Sequence, residues 1–367
     1  MFAIVLEVNT LPQIGTPRML VITQTIDRTD SSLGFFVRWV ESMAQYSPRV
    51  EVICLNQGSF ALPKNVTVHS LGKETRGKET THHIIRRIQY SIRFYGALIR
   101  LRGTYDAVFV HMNEEYLLLA GWWWRLTGTP LYFWRNHYEG SLLTTLACWF
   151  ATRVFCTSQY SYTARFKKTI LMPVGVDIDS LHNEEEILRN ERSVLFLGRF
   201  DASKRPHLLV EALGILKSQG ISLEATFVGG PTNATSTYPE EVRTQAETLG
   251  VGAQCHFVGA VPNTETYRYY RSHDIFVNCS ESGMLDKTIF KAAGAGCIAL
   301  TSSADVALHV DPICVFKNND ATDLASTISH ILSISPEEKI RLRLQYQKLV
   351  DENTLSVLMM KLFEVIT

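Results

Sequence analysis

The residues best suited to chemistry fall in two stretches of the second half of the chain. In VLFLGRFDASKRPHLLVEAL (194–213) an apolar run closes at Gly198, Arg199 follows at once, and Lys204 stands just before a helical pattern that opens with Pro206. Two cations at the carboxyl end of a strand, beside a helix N-terminus, suit a diphosphate. The guanidinium fork can hold two oxygens, the ammonium adds a compact charge, and the first N–H groups of the helix favour an anion. On this reading Gly198 lets the chain turn sharply, Ser203 caps the helix and Pro206 is tolerated in its first turn. In CSESGMLDKTIFKAAGAG (279–296) a strand runs into a small-residue turn at Ser282–Gly283, whose amides can point at an anion. Asp286 is placed to cap the helix that follows, and Lys287 and Lys291 share one of its faces. Gly229, in VGGP (228–231), allows a ligand close to the backbone. Solvated loops are the plain alternative for each stretch taken alone.

These side chains need elements to hold them, and the pattern supplies them. Apolar runs rich in β-branched residues alternate with helical stretches: MLVIT, VEVICL, VTVHSLG, AVFVHM, LYFWRN and RVFCTS, then VLFLG, LEATFVGG, CHFVGAV, IFVNCS and CIALTS. That alternation predicts βαβ units and a mostly parallel sheet in each half. The fold class is therefore α/β, with two Rossmann-like doubly wound domains and a ligand cleft at the carboxyl ends of the strands. Residues 1–17 read as an N-terminal extension, 18–181 as the first domain and 182–352 as the second, the last two helices being broken near Asn353.

Composition narrows the classes. A chain of 367 residues has room for two cores. Lys+Arg and Asp+Glu balance at 36 each, so no global field draws nucleic acid. Seven cysteines without a C-x-x-C pair argue against a disulfide framework or structural zinc, and for reduced thiols in the cytoplasm. The histidines are scattered, so no metal is implied. No apolar run approaches the roughly 18 residues that a membrane span needs.

Together the motifs resemble those of the retaining glycosyltransferases of family four, from about Met19 to the end of the chain. The family's G-R-x-x-x-x-K stretch, which binds the donor diphosphate, falls on Gly198, Arg199 and Lys204. VGGP, HFVGAVP (256–262) and FVNCSESGMLDKTIFKAAGAG follow in the order and spacing of the family's second domain. The resemblance implies the GT-B architecture, with a Gly-centred hinge at PVGVDID (173–179) and a final helix (353–367) crossing back onto the first domain. It implies donor-binding roles for Arg199, Lys204, Gly229, Val261, Ser282, Gly283, Asp286, Lys287 and Lys291.

FWRNHYEGS (133–141) sits where a subgroup with an S-G-x-x-D-K motif keeps a cleft histidine. His137 thus joins Arg199 and Lys204 as a catalytic candidate, orienting the donor sugar or polarising a hydroxyl; a structural histidine bonded to a neighbouring carbonyl is its plain alternative. His111, at another strand end, ranks below it. One position departs from the family. Its second glutamate, which accepts hydrogen bonds from the ribose diol, falls on Lys291, and an ammonium can only donate. Lys291 could instead be a third cation at the diphosphate.

The implied activity is transfer of a sugar from a nucleoside-diphosphate sugar to a hydroxyl of a glycan or lipid-linked acceptor, with retention, in cell-surface or lipid-linked glycan synthesis. No cofactor beyond the donor substrate and no metal is implied. The alternatives are a sugar-nucleotide-binding scaffold whose turnover is impaired by Lys291, and a nucleotide-sugar epimerase. Residues 73–102 add a feature of their own: Ile84, Ile85, Ile88, Ile92, Tyr95 and Ile99 form a near-helical stripe flanked by Arg86, Arg87, Arg93, Arg100 and Arg102. One reading is a peripheral contact with the inner face of a membrane. The spacing slightly favours the other, a stripe facing the core.

Overall fold

The computed structural model describes residues 15–30, 32–73, 83–181, 186–231, 233, 235–283 and 285–367. Most of the arm expected over 1–17 lies outside them, as do 74–82 of the basic stretch and most of 182–186, where the second domain was expected to begin. The first sheet comprises β1 (Met19–Ile26), β2 (Val50–Gln57), β3 (Val66–Ser70), β4 (Ala107–His111), β5 (Leu131–Trp134), β6 (Arg153–Cys156) and β7 (Thr169–Leu171). All pair in parallel, in the order β3-β2-β1-β4-β5-β6-β7. Strands covered on both faces read as unbroken apolar runs, and β4 is buried along its whole length.

Helices α1 (Phe35–Tyr46), α2 (His83–Arg100), α3 (Glu114–Leu126) and α4 (Leu142–Phe150) flank this sheet. Ser141 caps α4 in a reciprocal box with Thr144. α1 packs on one face, and α2, α3 and α4 pack on the other. On α2 the core contacts are Phe94, Ala97 and Leu98, whereas Ile85, Ile88, Ile92 and Ile99 are exposed. The core-facing reading of that stripe is therefore overturned. α2 carries two apolar rows, and the row of small and aromatic side chains is the one that fits the sheet.

The second sheet orders β8 (Asn190–Leu197), β9 (Glu224–Val228), β10 (Cys255–Gly259), β11 (His273–Asn278) and β12 (Ile298–Thr301) as β10-β9-β8-β11-β12, again parallel. Around it lie α5 (Pro206–Ser218), α6 (Tyr238–Thr248), α7 (Thr266–Ser272), α8 (Lys287–Gly294), α9 (Ala304–Ala307), α10 (Ala321–Ser333) and α11 (Pro336–Asp351). Asp274, fully buried in β11, is held by Lys339 at 2.9 Å and by Arg343, both from α11, which fixes that helix to this domain. The sequence pattern had not singled out β7, α9 or α10.

The last helix, α12 (Leu355–Ile366), leaves this domain and buries Leu358, Met359, Leu362 and Phe363 against α1 and the first sheet. Each such side chain contributes on the order of 1.5–3 kcal/mol. The Phe363 ring stacks on Tyr46 with centroids 5.0 Å apart. Where the chain crosses back it runs beside the first crossing. The Val176 amide donates to the Asn353 carbonyl at 3.0 Å, the Leu355 amide to the Val176 carbonyl at 2.9 Å, and the Asn353 side chain accepts from the Val174 amide. This is the GT-B-like arrangement: two α/β domains and a C-terminal helix that returns to the first.

Candidate active site

In the second sheet the chain order reverses between β8 and β11, and crevices at the carboxyl ends of strands form at such a switch point. Arg199 follows β8, and the loop 279–286 follows β11. Lys204 bridges the two: its Nζ lies 2.5 Å from Asp286 Oδ2 and 3.1 Å from Ser280 Oγ. Asp286 also caps α8 by accepting from the Thr288 amide at 3.2 Å. Burial alone would raise its pKa, but the Lys204 charge and hydrogen bond, with the Thr288 amide, bring it from 3.8 down to about 2. Asp286 therefore stays ionised and holds the Lys204 ammonium at the crevice floor. Arg199 is nearly half exposed, its Nε 3.5 Å from Asp201.

Two local expectations are corrected here. Ser203 does not cap α5; its hydroxyl donates to Asp201, and Arg205 occupies the cap in a left-handed conformation, tied to Glu281 and Asn318. Gly198 has no left-handed backbone. The glycine that the geometry requires is Gly229, at φ +139°, where a Cβ would sit 1.7 Å from the Gly198 carbonyl oxygen. Removing that carbon lets the ends of β8 and β9 close on each other beneath Arg199.

The turn at 282–283 presses against the first domain. Gly283 has φ +93°, and a Cβ there would lie 2.6 Å from the Tyr138 Cβ. Its carbonyl accepts from the Ser161 hydroxyl at 2.8 Å. Its amide donates to Asp305 Oδ2 at 2.7 Å, and Asp305 also accepts from Ser158. The expected use of the Gly283 amide as an anion donor is thus not what the structure shows, because a buried carboxylate already occupies it. The Ser282 hydroxyl likewise accepts from the Ala304 amide at 2.8 Å. Asp305, Ser158 and Ser161, which join the domains here, carry no sequence signal, since the bonds span more than a hundred residues in two of three cases.

His137 lies in the first-domain loop, its ring stacked on that of Tyr138 with centroids 4.7 Å apart. Its Nδ1 accepts from the Glu139 amide at 3.0 Å, so a neutral ring carries its proton on Nε2. Burial lowers its pKa, and the charges of Arg135 and Arg199 lower it further. It is therefore a neutral hydrogen-bond donor, close enough to Arg199 to sense its charge. The bonded neighbour is an amide, not the carbonyl of the plain alternative. His111 is buried within the first domain against Phe36, with centroids 4.2 Å apart, and burial takes its pKa to about 3. The Lys287 charge adds to that lowering, so the ring is neutral.

The α8 lysines go elsewhere. Lys287 Nζ donates to the Gly175 carbonyl at 3.2 Å and lies 3.8 Å from the centre of the Phe35 ring and 4.2 Å from that of Trp39. Burial and the Lys291 charge push its pKa well below the ordinary 10.5. Lys291 Nζ donates to Asn263 Oδ1 at 2.9 Å, two residues beyond Val261, and burial brings its pKa to about 8. The contact of Lys291 is with Asn263 rather than with a group beside Arg199 or Lys204, so it does not show the third-cation role expected of it. In the hinge loop Asp177 and Asp179 stand in an Asp-x-Asp arrangement, with Asp177 paired to Arg38 at 3.0 Å. Among the described residues no three His, Cys, Asp or Glu side chains gather as a metal site, and no helix is long and apolar enough to cross a membrane. All seven cysteines are buried and unpaired.

Residues 177–348 match the family described as Glycosyl transferases group 1. A D-inositol 3-phosphate glycosyltransferase from Acidothermus cellulolyticus is 33% identical over 93 residues, which are 24% of this chain and 21% of that protein. The aligned stretch thus spans about a fifth of that curated relative. Among solved structures, Anabaena HepE in complex with UDP and glucose superposes with a TM-score of 0.75 at 16% identity, covering 95% of this chain and 99% of that one. Sucrose-phosphate synthase from Thermosynechococcus elongatus gives 0.73 at 15%, covering 95% and 98%. WaaG, a glycosyltransferase involved in lipopolysaccharide biosynthesis, gives 0.68 at 17%, covering 95% and 99%. At these identities the likeness shows the two-domain fold.

Proposed function

We propose that this chain is a glycosyltransferase that moves a sugar from a nucleoside-diphosphate sugar to a hydroxyl acceptor, with retention, in the synthesis of a cell-surface or lipid-linked glycan. The observation that carries this is the Lys204–Asp286 bridge at the β8/β11 switch point, with Arg199 at the end of β8 and its charge felt by His137 of the first domain. The family match over 177–348 and the UDP-bound HepE relative support a nucleotide-sugar donor held by residues of 182–352. The acceptor then enters from 18–181, which with 353–367 makes the other domain.

In the reaction the bond from the anomeric carbon to the diphosphate oxygen breaks and a bond to the acceptor oxygen forms on the same face. The acceptor proton passes to a phosphate oxygen. Negative charge develops on the diphosphate, so positive charge waiting there stabilises the transition state most. Arg199 is exposed enough to turn onto the phosphates, while Lys204 is held in place by Asp286. His137 Nε2–H can donate to a sugar or acceptor hydroxyl. Gly229, Val261, Ser282 and Gly283 shape the walls around the donor.

A screen of nucleoside diphosphates by thermal shift, followed by transfer or slow hydrolysis of a labelled sugar donor, tests this reading. Activity that disappears in Arg199→Ala supports it, and an isomerised sugar nucleotide released without acceptor would instead identify an epimerase. One observation favours a second reading. Lys291, buried on α8, presents an ammonium where a ribose-accepting carboxylate is expected. Donor binding without transfer or hydrolysis would make the chain a sugar-nucleotide-binding scaffold.

A further inference from the structure

We propose that the outer face of α2, α3 and α4 docks the protein on an anionic lipid bilayer. The three helices form one layer on the first sheet, and their inner sides build a single core. Their outer sides remain apolar. Ile92 and Ile99 are 66% and 74% exposed, and Trp122, Leu146 and Trp149 are each about half exposed on the neighbouring helices. Adjacent helix faces of this kind make a patch beyond what isolated surface residues account for. The helices are in register as a surface: Tyr95 on α2 donates its hydroxyl to the Leu119 carbonyl of α3, and Arg125 of α3 donates to the Trp149 carbonyl of α4.

Charge selects the occupant. The chain is neutral overall, yet α2 holds Arg86, Arg87, Arg93 and Arg100 and no acidic residue. α4 has no charged residue. The acids of the layer, Glu114 and Glu115, sit in the first turn of α3, and Glu114 is paired with Arg135 at 3.2 Å. Arginines beside exposed isoleucines and tryptophans match a surface with anionic headgroups above acyl chains, where the indole belongs at the boundary. A second copy meeting this face about a two-fold axis would oppose arginine to arginine.

Position ties the face to the cleft. Ser141, which starts α4, follows His137 by four residues, and Leu142 at the first turn of α4 is 87% exposed. A docked α4 therefore brings the acceptor side of the crevice to the lipid surface. That last step rests on the glycosyltransferase reading; the docking itself does not.

The test is flotation of the full chain with vesicles mixing phosphatidylcholine and phosphatidylglycerol, against vesicles of phosphatidylcholine alone. The chain should float with the first and not the second, and release as salt rises. Ile92→Asp with Ile99→Asp should lower partitioning about tenfold or more. Arg87→Glu with Arg100→Glu should do the same and flatten the salt dependence. Both variants should keep the wild-type urea midpoint, as these side chains are outside the core. Failure of the wild type to float, or flotation of both variants like the wild type, overturns the proposal. So does a wild-type dimer that the variants convert to monomers without any flotation. Sugar transfer without flotation sinks only the docking. Flotation of a chain that binds no sugar nucleotide sinks only the catalytic reading.

Discussion

Two pairs of cations serve the same end of the second sheet under opposite conditions. Lys204 and Arg199 face carboxylates, Asp286 and Asp201, and Asp286 is held ionised with a pKa of about 2. Lys287 and Lys291 donate to neutral acceptors, the Gly175 carbonyl and the Asn263 side chain, and burial lowers the proton affinity of both although the Asp177 charge opposes it. A cation that must meet a ligand's charge gains from a carboxylate partner that holds it in place in the empty site and can yield when the ligand arrives. A cation seated on aromatic rings and a hinge carbonyl instead joins structural parts. Residue type alone does not separate these two employments; a carboxylate in direct contact with the cation does.

Breaking the first pair should have the largest effect. Arg199→Ala is expected to reduce turnover about a hundred- to thousandfold, measured as transfer or donor hydrolysis. Lys204→Met strands Asp286 in a buried place and should cost about 3 kcal/mol in urea unfolding, a penalty that Asp286→Asn added to it relieves. Exchanging character within the second pair should come next. Lys291→Glu is expected to tighten nucleoside-diphosphate binding about 10- to 100-fold, or roughly 1.5–3 kcal/mol, by restoring a charged acceptor. Unchanged affinity would remove the ribose from that position.

The acid side of the stability curve sharpens the contrast further. Asp286 has its folded pKa depressed from 3.8 to about 2, so its contribution is fully present above 3.8 and is lost as pH falls through about 2. That window is worth roughly 2 kcal/mol, and Asp286→Asn should flatten it in urea titrations at stepped pH. The smallest effect is expected of Lys287→Met, within about 1 kcal/mol of the wild type, because a depressed, buried ammonium is replaced by a thioether of similar length. The Gly175 carbonyl keeps the Trp39 indole as a donor at 3.1 Å. A large loss would show that Lys287 belongs with Lys204 after all.

The α/β alternation was legible because parallel strands buried on both faces are built on apolar runs, as Ala107–Val110 of β4 and Ile275–Val277 of β11 are. β7 escaped because three residues carry no period. α10 had a signal that was passed over: Asp320 caps it, and Leu324, Ala325, Ile328 and Ile331 fall on one face. Periodicity found the isoleucine row of α2 but passed over Phe94, Ala97 and Leu98, the row the sheet takes, since that choice depends on side-chain fit against β-strand neighbours. The motif around Arg199 and Lys204 could be read along the chain. Its ionic partner could not, because Lys204 meets Asp286 only after β8 and β11 are set side by side. The same holds for Asp305, whose bond to Ser158 exists only when the two domains face each other.

The paired crossings at 174–176 and 353–355 have a mechanical consequence. Because Val176 and Asn353 are bonded to each other, and Val176 also to Leu355, the lobes share an axle in place of a tether. Sliding one lobe past the other would shear those bonds, whereas turning about them leaves all of them intact. Any opening would therefore be a rotation about this axle, and it would have to part the Ser161–Gly283 and Ser158–Asp305 bonds at the lips.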